Sequence, residues 1–324
     1  MRKAVIAIVA FGLPPLLLVG CPPSFSDLCM GVAECSFGDA TVQSDAADAG
    51  MDAEPECDPD GAFTLDENVE VIPNFPSWRA RHVSFSSDEK TVYFHASPDG
   101  GQYDLFVGTR QSRSLPFEPK DIHPIPEISA ADIDDVDPAV SDNELTIIFS
   151  RETQQSASLF MAMRSNRTGT FEKEEELTSL NSAKDEGNPY LAFDGGELWF
   201  ASDRPDGGDG NSRLYRALAG GDHFRGANAM PVKLPAPITK VTSPVLSADG
   251  KILFFSTFGL AYEVRRDSID QVFTAPARVL NELGNTKFVY PSWVSPDGCR
   301  LYIHRSGPPI KIQVAVRAPK KTDP

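Results

Sequence analysis

Asp137 and Glu186 are the two acids of this chain whose placement suits catalysis. They lie in DIDDVD (132–137) and KDEGN (184–188), short polar runs at matching places in successive copies of a repeat. Two carboxylates facing one bond can divide acid and base work, as in hydrolysis of a glycosidic linkage. The two later copies carry no acid at that place, and the first offers Arg79, Arg81 and His82 instead. Arg79, Arg81, His82, Asp134, Asp135, Asp137 and Asn188 together form a mixed ring of charge. Such a ring suits the binding of a polar ligand or a peptide loop. A solvated rim with local ion pairs has the same composition and contributes little.

Other chemistry has thinner support. The five histidines show no spacing for zinc. His95 and His304 follow Phe94 and Ile303 at the same position of two copies, which fits either a paired site or ordinary packing. Asp203, Asp206 and Asp209 in DRPDGGDGN offer hard oxygen ligands for calcium, but the spacing is not that of an EF-hand and a hairpin connection explains the run. No nucleophile elbow and no glycine-rich phosphate loop occurs. No metal and no cofactor is therefore expected.

The repeat supplies the elements that must hold these residues. FSSDEKTVYF, VSDNELTIIF, LAFDGGELWF, LSADGKILFF and VSPDGCRLYI align on Asp88, Asn143, Asp194, Asp249 and Asp297, at steps of 55, 51, 55 and 48 residues. Each reads as a strand, a tight Asp/Asn turn and a second, β-branched or aromatic strand. A third strand follows in DLFVGTR, SLFMAMR, RLYRALA, AYEVRRD and IKIQVAV, and a fourth starts near Phe117, Phe171, Phe224 and Phe273. The last copy stops after three strands, while AFTLDENVEVIP from Ala62 supplies a spare fourth. The expected fold is all-β: a five-bladed β-propeller of four-stranded antiparallel blades, closed by that N-terminal strand in the last blade. Closure removes the strand edges that an open ring would expose. The same register brings Cys57, before the closing strand, to the edge where Cys299 begins its own, so a Cys57–Cys299 disulfide is expected at the seam.

Ser295-Pro296-Asp297-Gly298, Ser247-Ala248-Asp249-Gly250 and the run ASDRPDGGDGNSRLY (201–215) resemble the WD-like repeat of TolB and bacterial peptidase propellers. The resemblance covers about residues 62–318. It implies a fold rather than an activity, because propellers host unrelated functions. Asn143 in the second copy, and FGLAY in the fourth, depart from the family pattern. TolB itself has six blades and a further α/β domain, so a TolB-like role in envelope protein networks is an analogy.

Residues 1–20 have a basic start, Arg2-Lys3, and an apolar run interrupted by Pro14-Pro15, which reads as a secretory signal. The run ends Leu18-Val19-Gly20-Cys21 and resembles the bacterial lipoprotein box, which implies a lipid on Cys21. Pro22 rather than Asp follows, which by resemblance to Gram-negative sorting implies the outer membrane. Residues 21–61 hold ten acids and no Lys or Arg, and read as a disordered acidic tether before the propeller (62–318) and its tail (319–324). Export favours disulfides. The net charge of −16 argues against nucleic acid as a partner. These features describe a monomeric, lipid-anchored binding or scaffold module for an envelope protein or glycan. The alternative is a glycoside hydrolase-like propeller using Asp137 and Glu186.

Overall fold

The computed structural model describes residues 56–65, 71–72, 78–192, 195–205, 211–235, 238–274, 276–284, 288–307 and 310–320. The signal segment, Cys21, Cys29, Cys35 and most of the acidic tether lie outside the described residues. No helix among the described residues is long and apolar enough to cross a membrane.

Five four-stranded antiparallel sheets form a ring. The first holds β2 (Arg81–Phe85), β3 (Thr91–Ala96), β4 (Asp104–Thr109) and β5 (Ile122–Pro124). The second holds β6 (Asp134–Val140), β7 (Thr146–Glu152), β8 (Ala157–Met163) and β9 (Glu175–Glu176). The third holds β10 (Glu186–Leu191), β11 (Glu197–Ser202), β12 (Arg213–Leu218) and β13 (Met230–Pro231). The fourth holds β14 (Val241–Leu246), β15 (Ile252–Thr257), β16 (Leu260–Arg265) and β17 (Arg278–Val279). The fifth joins β18 (Val289–Val294), β19 (Arg300–Arg305) and β20 (Lys311–Arg317) to the N-terminal strand β1 (Phe63–Leu65). Each inner strand touches the next, and β18 touches β2, so the ring closes. The expected propeller and its N-terminal closure are observed.

Three local devices recur because the sequence repeats them. Ser86, Ser141, Ser247 and Ser295 each bond the turn residue two positions on (Asp88, Asn143, Asp249 and Asp297) and accept the amide that opens the second strand. The fourth residue of that turn needs positive φ. Gly250 and Gly298 supply it at 69° and 71°, whereas Glu89 and Glu144 adopt it at 59° and 58° as non-glycine residues. An arginine at or just beyond the third strand then clamps each turn from below. Arg110, Arg164, Arg266 and Arg317 donate from Nε to the carbonyls of Glu89, Glu144, Gly250 and Gly298. Each guanidinium also covers an aromatic ring: Phe117, Phe171, Phe273 and Phe63, at 4.2–4.7 Å. The Arg317–Phe63 copy joins the two ends of the propeller and marks β1 as the missing fourth strand.

Those aromatics are plugs rather than strand starts. Phe117, Phe171, Phe224 and Phe273 are buried, and the outer strands begin several residues later and are only two or three residues long. Short, charged outer strands such as Glu175–Glu176 leave little edge for another chain to pair with. Between blades the core is aromatic: Phe85 packs on Tyr302 and Trp293 with centroids 4.3 and 5.2 Å apart, across the first and fifth sheets. Cys57 and Cys299 form a disulfide with Cα atoms 5.7 Å apart, beside a β-bridge from Cys57 to Pro319. The seam is thus covalent, hydrogen-bonded and ionic at once.

Candidate functional site

All five inner strands carry a bulge at the same level, between Arg81 and Val83, Val136 and Ala139, Gly187 and Tyr190, Thr242 and Val245, and Pro291 and Trp293. A bulge re-aims the extra side chain and sharpens the twist. His82, Asp137, Asn188 and Ser243 sit on four of these bulges with φ between 39° and 55°. Proline cannot adopt positive φ, so Pro291 keeps the fifth position out of that conformation. The ring of residues that the sequence aligned is therefore a ring of strained backbone around the channel.

The side chains link across blades. Asn188 donates from Nδ2 to Asp137 Oδ2 at 2.5 Å, and Asn188 Oδ1 accepts the Ser243 amide at 3.4 Å. Asp137 donates its own amide to His95 Nδ1 at 2.9 Å, which fixes that nitrogen as the acceptor. His82 Nδ1 stands 3.8 Å from Asp137 Oδ1, and His82 and His304 meet edge to face with centroids 6.3 Å apart. His304 also approaches Ser292 Oγ at 3.2 Å and stacks on Tyr290. So His95 and His304, paired in sequence, gather with His82 in one buried cluster.

Burial pushes all three imidazoles below their ordinary pKa. His82 is partly held up by Asp137, while His95 and His304 are lowered further by neighbouring cationic groups. Each is therefore neutral at pH 7 in the fold, and the unfolded chain binds protons that the fold refuses. Stability is present above about pH 6.5 and is lost as pH falls below it, by up to about 1.4 kcal/mol per pH unit for each histidine. Urea melts between pH 7 and 5 should show this slope, reduced in His95→Gln. An unchanged slope in that variant would place the dependence elsewhere.

The other expected residues separate. Asp135 is fully buried, held by Arg151 at 2.7 Å and by the Ala130 amide at 2.7 Å. Asp134 accepts the Tyr103 amide, and Arg81 lies over the Tyr103 ring at 5.4 Å. Arg79 is exposed, and neither Arg79 nor Arg81 forms an ion pair among the described residues. Glu186 is 0% exposed and is bonded by the Ser182 amide and hydroxyl and by the Ser202 hydroxyl, with Arg204 at 3.4 Å. Asp135 and Glu186 are the same device in successive blades: a buried acid that ties down the loop leading into the inner strand.

Above Asp137 the channel opens into a cavity of about 490 Å³ lined by Asp137, Glu152, Asp185, Asn188, Asp203 and the Thr153–Ala157 turn, among others. Glu152, the last residue of β7, was not singled out by the sequence reading. Its signal was positional: it pairs across the strands with Asp134. Withdrawal from water, then the fields of Asp137, Asp134 and Asp185, raise its pKa against the opposing field of Arg81. Asp206 and Asp209 lie outside the described residues. Among the described residues no group of three His, Cys, Asp or Glu is placed to hold a metal.

Across the same face, Phe258 and Phe288 are 63% and 49% exposed, with φ of 50° and 81°. The Phe288 amide donates to the Gly259 carbonyl at 2.6 Å, which holds the two loops together. A side chain at positive φ costs roughly 1–2 kcal/mol. Phe258→Gly should therefore stabilise the fold by about 1 kcal/mol in a denaturant melt, since its exposed ring loses little packing. A loss of stability would mean that the ring contributes more than its exposure implies.

Fold and channel together define a five-bladed β-propeller with a histidine-lined throat and an acidic mouth. No family model matches the chain, and no curated protein matches it. Solved structures share the fold. One, provisionally described as a glycoside hydrolase from Parabacteroides distasonis, is 11% identical with a TM-score of 0.53, over 81% of this chain and 97% of that one. A BT0996 RGII complex is 11% identical with a TM-score of 0.52, over 82% of this chain and 94% of that one. TolB from Acinetobacter baumannii is 13% identical with a TM-score of 0.44, and the match spans 74% of this chain and 55% of that one. At these identities the likeness is one of fold alone.

Proposed function

We propose that this chain is a non-catalytic binding module, exported and held at the outer membrane by lipid on Cys21, whose channel mouth receives part of an envelope protein or glycan. One observation carries the reading: Glu186, the would-be partner of Asp137 in a hydrolytic pair, is completely buried with its oxygens committed to Ser182, Ser202 and Arg204. A carboxylate so held cannot reach a bound sugar without unmaking the loop it anchors. Asp137 is left with imidazole and amide neighbours, while the mouth stays open and polar. The lipid on Cys21 would keep that mouth near envelope partners.

The experiment is crosslinking in membranes with the full lipidated chain, beside a turnover screen of the purified chain on polysaccharides. Capture of a defined partner without turnover supports the module. Turnover abolished by Asp137→Asn overturns it in favour of a hydrolase. Replacement of Cys21 by Ser should move the chain to the soluble fraction, and retention at the membrane would remove the anchor from the reading.

A further inference from the structure

We propose that the cavity over Asp137 is a subsite for an organic cation, a protonated amine or guanidinium, seated among Asp137, Glu152, Asp185 and Asp203. The inference rests on the mouth being the binding face and names the chemistry it takes. Four carboxylates line one cavity, and a second space shared through Glu152 adds Asp132 and Asp134. Among the described residues Glu152, Asp185 and Asp203 form no ion pair, and Asp137 faces only neutral imidazoles and an amide. Uncompensated negative charge of this density favours a cationic guest.

A second observation comes from the floor rather than the rim. His82 is 2% exposed and its Nδ1 has no hydrogen-bond partner, although it faces Asp137 Oδ1 at 3.8 Å. Ser150 is 1% exposed and its Oγ is likewise without a partner, 3.6 Å from where a Cβ on Gly187 would stand. Gly187 itself lines the cavity, so that hydroxyl lies directly under it. Buried polar atoms are nearly always bonded, and an orphan costs about 1–3 kcal/mol. Two orphans beneath the same carboxylates mark a floor built to meet something polar.

Geometry separates an organic cation from a metal. The described carboxylates are not close enough in threes to chelate an ion. An ammonium or guanidinium suits spread acceptors, because its several N–H groups reach separate oxygens. Ammonium groups come either from a free polyamine or from a lysine on a partner, and guanidinium from an arginine. An acidic or neutral sugar has no such group to offer.

Calorimetry on the full chain in about 0.1 M salt tests this with four probes: spermidine, a Lys/Arg peptide, a length-matched Asp/Glu peptide and calcium chloride. We expect spermidine or the basic peptide to bind and the acidic peptide not to. Binding by spermidine alone identifies a small amine as the source, and binding by the peptide alone a partner's side chain. Glu152→Gln with Asp185→Asn should weaken binding about tenfold or more. Glu118→Gln with Asp267→Asn, an equal charge change at exposed residues outside the cavity lining, should leave it unchanged. Affinity should also fall as the pH drops and Glu152 takes up a proton. If the first pair lowers the melting temperature, Asp203→Asn alone serves in its place. Equal losses from the two pairs, no binding by either basic probe, or tight calcium binding that Asp185→Asn abolishes would each overturn the proposal. A crosslinked envelope partner retained by the Glu152→Gln, Asp185→Asn variant would also overturn it, while leaving the binding module standing.

Discussion

Glu89→Ala is expected to destabilise the propeller by about 3 kcal/mol, the larger of the two effects that a single side chain outside the channel should produce. Glu89 sits in the turn of the first blade and is 1% exposed, yet its carboxylate belongs to the fifth blade. It accepts Arg300 Nε at 2.8 Å and Nη2 at 2.6 Å, and the Tyr302 hydroxyl at 2.5 Å. Its removal strands a buried guanidinium, relieved only by the half-exposed Asp297 at 3.1 Å. Glu89→Gly separates two contributions. Glycine relieves the backbone strain of φ 59°, worth roughly 1 kcal/mol, but it loses the same ion pair, so it should recover only part of the loss. Adding Arg300→Met should restore more, because no buried charge then remains alone. Urea melts of the four proteins decide the matter. If Glu89→Gly matches the native chain, the pair across blades one and five contributes nothing net. Glu144 repeats the arrangement one blade on, accepting the Tyr93 hydroxyl at 3.0 Å beside Arg164.

That interblade device was not legible in the sequence, and the reason is physical. The turn pattern S-x-[DN] and the strand alternation are local, since each hydrogen bond spans five residues or fewer, so they could be read from spacing. The ring and its closing strand followed from counting those local units. Glu89 and Glu144 occupy a turn position where glycine is expected, and only the neighbouring blade explains them. The candidate site divides the same way. Alignment of the repeats placed His82, Asp137, Asn188, Ser243 and Pro291 at one level of the channel, which the five bulges reproduce. Whether an acid faces water or the blade interior depends on a single residue of register. Asp135 and Asp137 lie on one strand two residues apart, but the bulge between Val136 and Ala139 turns Asp137 to the mouth while Asp135 stays under Arg151. A two-residue periodicity predicts the same face for both, so the mixed ring of the sequence reading includes both.

The seam disulfide should account for the other large effect. Cys57 and Cys299 are 242 residues apart, so the bond removes a long loop from the unfolded ensemble, worth about 2–5 kcal/mol. For a domain of this size that is roughly 5–15 °C in melting temperature. The seam has other fasteners: β1 pairs with β20 from Phe63 to Arg317, Asp58 donates to the Ala318 carbonyl, and Arg317 covers Phe63. Reduction should therefore loosen the ring without unfolding it. Hydrogen exchange should rise first in β1 and β20, and hardly at all in β6 to β12. Cys57→Ala, Cys299→Ala and the double variant should all lose the same stability, because a crosslink is removed whole by the loss of either end. Additive losses would show instead that the two sulfurs act as separately packed side chains, each 5–7% exposed, and the seam would then owe its strength to the strand pairing and to Arg317.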